Sequence, residues 1–229
     1  MQKSKEKIRI MFDEIAGRYD LLNHLFTMNL DKKWRKKIIK EIIKNNYPKD
    51  NLLDIASGTG DLTKELIALN PVNLYSCDIS EKMLGVQRKK INFPGLKIEV
   101  ADSLNLPYEN ESIDIATIGF GIRNFEDLEK SVIEIKRILK SGGLLIVLEM
   151  FGSRDMKKSI FDLYFGKIVP KIGNKISKSD YAYNYLFSSV KNFLDVNEFV
   201  NIAEFNGFKY IKIVNNFNKF VYTVYLYKK

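Results

Sequence analysis

Two acids stand at the ends of neighbouring apolar runs, with a pair of glycines between them. Leu52-Leu53-Asp54-Ile55 runs into Ser57-Gly58-Thr59-Gly60, and Asn73-Leu74-Tyr75-Ser76-Cys77 ends in Asp78, 18 residues past Gly60. Glycines allow a sharp turn and let the backbone approach a ligand without side-chain obstruction. A carboxylate at the tip of the next strand can accept both hydroxyls of a ribose. Together they suit an adenosine-bearing cofactor. A dinucleotide turn wants a third glycine, and Thr63 stands there instead. Asp54 adds a negative charge beside the turn, which repels a pyrophosphate and suits a cation such as a sulfonium with an α-amino group.

These residues need a strand, a turn, a helix and a second strand to place them. The pattern predicts a buried strand at 51–55, a helix carrying Leu62, Leu66 and Leu69, and a strand at 73–78. A third strand is expected from Gly95 to Asp102, again ending in an acid. Asp102-Ser103 either meets an adenine amino group or is a turn at a helix start. The fourth strand starts at Ile113, and Gly119 and Gly121 in its exit loop are expected to let the chain pass close to ligand. Residues 125–140 read as a helix with acids first, bases last and Gly142-Gly143 as its stop, followed by a fifth strand from Leu144 to Met150. Asp195 and Glu198 have the spacing of a capping box, and Gly207 closes that helix. The segments 208–214 and 220–227 read as a hairpin around Asn215-Asn216. The expected fold is α/β: a doubly wound sheet of seven strands, one of them antiparallel.

Two flanks surround this core. Residues 1–46 read as two helices that cap the cofactor mouth, ahead of a main domain at 47–229. Residues 151–193 are basic and aromatic, with Phe161, Tyr164, Phe165, Tyr181, Tyr183, Tyr185 and Phe187. They read as a helical insertion forming a substrate wall. The net charge of +9 is uneven: residues 1–50 carry +6, 51–150 carry −4 and 151–229 carry +7. Basic flanks can meet nucleic acid or anionic lipid, or serve solubility alone. One cysteine among 229 residues excludes a disulfide framework and a cysteine-cluster metal site. Met1 to Ile10 has no apolar stretch of signal-peptide type, and no apolar run is long enough to span a bilayer.

Several stretches resemble the ubiquinone/menaquinone biosynthesis C-methyltransferases, a family of class I S-adenosylmethionine-dependent methyltransferases. They are Tyr19-Asp20-x-x-Asn23 with Trp34, Asp54 to Thr63, Phe120-Gly121-Ile122-Arg123-Asn124, and Arg137-Ile138-Leu139-Lys140 with Gly142-Gly143 and Glu149. Tyr183-x-Tyr185-Leu186 also fits. Leu22, Thr27, Asp31, Ser57, Gly119 and Ser141 depart from the family's common residues, Ser57 standing where glycine is usual. The resemblance implies a Rossmann-like fold and S-adenosyl-L-methionine as methyl donor, with S-adenosyl-L-homocysteine as product and no metal. It implies methylation of a ring carbon of a polyprenylated quinol, demethylmenaquinol or 2-methoxy-6-polyprenyl-1,4-benzoquinol. The family's cofactor contacts fall on Thr59, Asp78, Asp102-Ser103 and Gly119. With the turn itself, the candidate cofactor set also takes in Asp54, Ser57, Gly58, Gly60 and Ile79.

Arg123, Asn124 and His24 are the candidates for handling the hydroxyl proton or phenolate, and Tyr19, Asn23, Phe120 and Tyr185 for the substrate side. Each has a plainer reading: His24 as a surface histidine, Arg123-Asn124 as a helix cap. No Ser/His/Asp or Cys/His constellation is present. An amino-directed nucleic-acid methyltransferase carries a proline pair after the fourth strand, and Ile118-Gly119-Phe120-Gly121 has none. A cytosine C5 enzyme needs a cysteine there, and Cys77 lies elsewhere. A non-catalytic scaffold would not need Gly58, Gly60 and Asp78. The expectation is therefore no nucleic-acid partner, a cytoplasmic enzyme peripheral at the inner face of the cytoplasmic membrane, and room for a homodimer.

Overall fold

The computed structural model describes residues 4–152, 185 and 188–229. Three helices precede the sheet: α1 (Lys5–Ile15), α2 (Tyr19–Phe26) and α3 (Leu30–Lys44). The expected second helix is present as α3. The stretch between the two expected helices is itself helical: a short 3-10 turn at Ala16–Arg18 passes α1 directly into α2.

Strands β1 (Asn51–Ile55), β2 (Asn73–Asp78), β3 (Leu96–Val100), β4 (Ile113–Gly119), β5 (Leu139–Met150), β6 (Phe208–Phe217) and β7 (Val221–Lys228) form one sheet in the order 3-2-1-4-5-7-6. All neighbours are parallel except β7, which runs antiparallel to both β5 and β6. The helices α4 (Asp61–Leu66), α5 (Glu81–Lys90) and α6 (Leu128–Ile138) are the crossovers, and α7 (Val196–Phe205) leads into the hairpin. This is the doubly wound sheet with one antiparallel strand that the sequence predicts.

Strand residues alternate between two cores, as a period of two requires. Leu52, Leu74, Ile115 and Ile146 pack under α3 and α4 with Trp34, Ile38, Leu62 and Leu66. Leu53, Ala116, Leu145 and Val147 pack under α6 and α7 with Val132, Ile135 and Phe199. Both faces are covered, which is why the central strands read as continuous apolar runs.

Local signals set most boundaries. The Ser80 hydroxyl caps α5 and the Asp127 carboxylate caps α6. Asp195 and Glu198 make both bonds of the expected capping box. Three boundaries differ from expectation. The α6 helix stops at Ile138, before the glycines. Leu139 already pairs with Ile113, and ladder pairing resumes with Leu144 opposite Ile115. The glycines lie inside β5 where the register shifts between these pairs, with Gly142 at φ +74°. Strand β3 ends at Val100, and Asp102 bridges Asn105 instead. The hairpin turns at Asn218-Lys219, both at positive φ, and Asn215-Asn216 lie inside β6. The proposed wall at 151–193 lies outside the described residues apart from its ends and Tyr185.

Strand order reverses between β1 and β4, and the loops leaving their C-terminal ends diverge there. Such a crevice is where open α/β sheets bind ligand. The two loops first touch: a Cβ on Gly121 would lie 2.6 Å from that of Ala56. Gly121 therefore gives room to the β1 loop, and it also lines the cavity beside Gly119, as expected. Ala56 and Phe120 both adopt positive φ at this crossing, 52° and 60°.

Candidate active site

The crevice opens into a cavity of about 980 Å³, mouth included. Its floor is the loop after β1, its sides are the ends of β2, β3 and β4, and α1 and α2 lie across it with Ile8, Phe12, Tyr19 and Asn23.

Asp54 lies at the deep end. It is 1% exposed and accepts hydrogen bonds from the hydroxyls of Thr63, at 2.6 Å, and Thr117, at 2.8 Å. Burial dominates its acidity and raises its pKa to about 6, against the two hydroxyls and the Arg35 charge. Asp78 stands on the adjacent strand. Its two oxygens accept from the backbone amides of Gly58, at 2.9 Å, and Ser80, at 2.8 Å. Burial raises its pKa too, and those amides oppose the rise. Gly58, at φ +55°, faces open space. A bulky cation with ribose hydroxyls fits this arrangement: acids on neighbouring strands, both lining the cavity, and room between them.

The other cofactor candidates divide. Ser57, Thr59, Ile79, Asp102, Ser103 and Gly119 line the cavity with Asp54, Gly58 and Asp78. Gly60 does not. A Cβ there would lie 2.6 Å from Gln87 and 2.8 Å from Ile91, so this glycine lets α4 pack on α5. Several hydroxyls turn away from the ligand space. Ser57 donates to Gln87 at 3.0 Å, Ser103 meets Ser131 at 2.9 Å, and Thr59 donates to Asp20 of α2. Asp102 accepts from the Leu104 amide at 3.0 Å and pairs with Lys5 at the start of α1.

Among the reactive candidates, Tyr19, Asn23, Phe120 and Asn124 line the cavity. The Tyr185 hydroxyl donates to the Asn124 carboxamide at 3.0 Å. Arg123 and His24 are not among the lining residues. Arg123 is 5% exposed. Its guanidinium meets Glu149 at 2.6 Å and the Phe120 carbonyl at 2.9 Å. It anchors the exit loop of β4 to β5 from behind. His24 is half-buried beside Asp31, 2.8 Å from Nδ1, and Asp61, 3.6 Å from Nε2. Arg35 joins the same two acids.

Arg35 escaped the sequence reading, where it lay within a lysine run. It is 5% exposed, lines the cavity and places its charge 5.8 Å from the centre of the Phe120 ring. The Asp31/Arg35 spacing of four, which puts the pair on one helix face, is the signal that could have found it. Lys5, Ile8 and Phe12 of α1, which no sequence motif marked, also line the cavity.

A family model described as the ubiE/COQ5 methyltransferase family matches residues 1–226. The chain belongs to that family. A relative named demethylmenaquinone methyltransferase, from Chlorobaculum parvum, is 37% identical over 212 residues, 90% of this chain and 86% of its own. One from Campylobacter jejuni, named ubiquinone/menaquinone biosynthesis C-methyltransferase, is 39% identical over 219 residues, 91% of this chain and 92% of its own. A solved structure, a putative S-adenosyl-L-methionine-dependent methyltransferase from Methanococcus maripaludis, superposes with a TM-score of 0.66 at 22% identity, over 95% of this chain and 94% of that one. The chain has the family's enzymatic fold, and among its described residues no helix is long and apolar enough to cross a membrane.

The raised pKa of Asp54 has a consequence for stability. Its folded value lies above the ordinary 3.8. Its contribution is therefore most favourable below the unfolded pKa and is lost as pH rises through the folded one. Asp54→Asn is free of that loss. Between about pH 4 and about pH 7 the variant should gain about 2 kcal/mol on the wild type in urea unfolding of the ligand-free protein. A difference that stays flat with pH would contradict the charged, buried state.

Proposed function

We propose that this protein transfers the methyl group of S-adenosyl-L-methionine to a ring carbon of a polyprenylated quinol, converting demethylmenaquinol to menaquinol. The observation that carries this reading is the cavity itself: the carboxylates of Asp54 and Asp78 and the rings of Phe12, Tyr19, Phe120 and Phe125 line one space. The relatives' names supply the substrate class, and demethylmenaquinone methyltransferase recurs among them.

The donor supplies an electrophilic methyl on a positively charged sulfur. Asp54 and Asp78 favour that cation in a site of low dielectric, where charge interactions are strong. A hydroquinone that loses a hydroxyl proton becomes nucleophilic at the ring carbon. A carbon–carbon bond would then form as the donor's sulfur–methyl bond breaks with its electron pair going to sulfur; the ring C–H proton would leave and the ring oxygen would regain a proton, for a net release of one. Holding the partners in line can supply on the order of 7–11 kcal/mol of the barrier.

The chain's part is positioning and charge. Tyr19 presents its phenol to the cavity. Burial raises its pKa, while the nearby Arg123 charge and a hydrogen bond from Asn23 lower it. Asn124, held by Tyr185, lines the same wall. Arg123 keeps that wall in place through Glu149 and adds a fixed positive potential behind it, which favours a phenolate.

Radiolabelled methyl transfer tests the reading with a paired set of demethylmenaquinol and the benzoquinol analogue. Label should enter demethylmenaquinol preferentially. Preference for the benzoquinol would replace the substrate, and label in neither would overturn the proposal. The tail of such a quinol lies in a bilayer, and the flanks of this chain carry most of its positive charge. Flotation should therefore recover more protein with vesicles containing anionic lipid than with neutral ones; equal recovery would remove the electrostatic docking.

A further inference from the structure

Gln87 belongs to no motif that the sequence reading singled out, yet it is completely buried on α5. Its carboxamide is shared among three elements of the donor site. Oε1 accepts from the hydroxyl of Ser57, at 3.0 Å, in the loop after β1. Nε2 donates to Ser76 on β2, at 2.8 Å, and to Thr63 in the first turn of α4, at 3.2 Å. Thr63 in turn donates to Asp54. The direction of this chain follows from its ends. An ionised carboxylate only accepts, so Thr63 must give its proton to Asp54 and keep its oxygen as an acceptor. Gln87 fills that acceptor.

Protonation of Asp54 disturbs this order. Once Asp54 carries a proton on the oxygen facing Thr63, the threonine proton has lost its acceptor, and Gln87 Nε2, itself a donor, cannot take its place. A donor held rigidly behind Thr63 therefore favours the charged form of Asp54, since hydrogen bonds to the charged form stabilise it. Thr63, committed as a donor to Asp54, requires Nε2 of the carboxamide to face it, and the Ser57 hydroxyl then donates to Oε1.

We infer that Gln87 is a positioning residue of the methyl-donor site: it acts through Thr63 to keep Asp54 ionised and so preserves affinity for a cationic donor as the medium becomes acidic. The inference rests on the reading above that Asp54 faces the donor's positive charge. The charged and titratable groups around Asp54 are Arg35 from α3, Asp61 at the head of α4, and Cys77 with Asp78 from β2. None of them is altered in the test.

The experiment is calorimetric titration of S-adenosyl-L-methionine into the full-length protein across pH 5 to 8. Wild-type affinity should fall on the acid side with a midpoint near the Asp54 value of about 6, and Asp54→Asn should lack that limb. Gln87→Met keeps the length of the side chain and removes the donor. It should move the midpoint upward by about one pH unit. Thr63→Val should move it the same way, and Thr63→Ser, which keeps the hydroxyl, should leave it in place. Combining Gln87→Met with Thr63→Val should add nothing to the shift of Thr63→Val alone.

Weaker binding by one factor at every pH in Gln87→Met would make Gln87 a spacer and overturn the inference, as would additive shifts in the double variant. A wild type without an acid limb, or an Asp54→Asn variant that keeps one, would instead refute the role of Asp54. Should Gln87→Met fail to fold, as judged by circular dichroism, the Thr63→Val and Thr63→Ser pair carries the same comparison. There, equal midpoints would contradict the chain.

Discussion

A negative charge held out of water at the reversal of strand order is the constraint around which this molecule is built. Taking a carboxylate to 1% exposure is unfavourable unless hydrogen bonds and opposite charge offset it. The structure provides them from four directions. Thr117 comes from β4, Thr63 from α4, and Gln87 supports Thr63 from α5. The Arg35 charge comes from α3. Each belongs to an element that packs on β1 or near it, so the sheet order and the charge site are one arrangement. An apolar residue at 54 would relieve that cost and forfeit the attraction for a cationic donor.

The N-terminal helices are tied to this site rather than merely laid against the sheet. Asp20 of α2 accepts from Thr59 and pairs with Lys90, and Asp13 of α1 accepts from Ser80 at 2.6 Å. Lys5 reaches Asp102. These contacts fall on or beside the residues expected to hold the donor. The Lys5 pair is exposed and contributes little by itself. Asp31 is more committed: Thr27, Arg35 and His24 all bond it, and it is fully buried. Burial raises the Asp31 pKa, but the hydrogen bonds and the Arg35 charge outweigh it and leave the carboxyl below its ordinary value.

Much of this was readable from local chemistry. Asp54, Gly58 and Asp78 were legible because a strand, a tight turn and a strand tip leave marks within a few residues of each other. The capping box at Asp195 was legible for the same reason. Features that depend on distant packing were not. Gly60 looks like a ligand-facing glycine, but the space it provides goes to α5, and Gly121 lines the cavity while also making room for Ala56. Arg35 looks like one more surface cation until α3 turns it inward. Arg123 follows β4 as expected, but its partner Glu149 is 26 residues away in sequence, and their pairing draws the guanidinium behind the wall. The start of β5 was hidden because Leu139 continues the helical stripe while its backbone already pairs with Ile113.

The central claim is that two carboxylates on adjacent strands hold the methyl donor, one for its charge and one for its ribose. The most direct measurement is calorimetric titration of S-adenosyl-L-methionine into the wild type and Asp78→Ala at neutral pH. Loss of hydrogen bonds to a charged acceptor should weaken donor binding about ten- to a hundredfold. Undiminished affinity in Asp78→Ala would contradict the account.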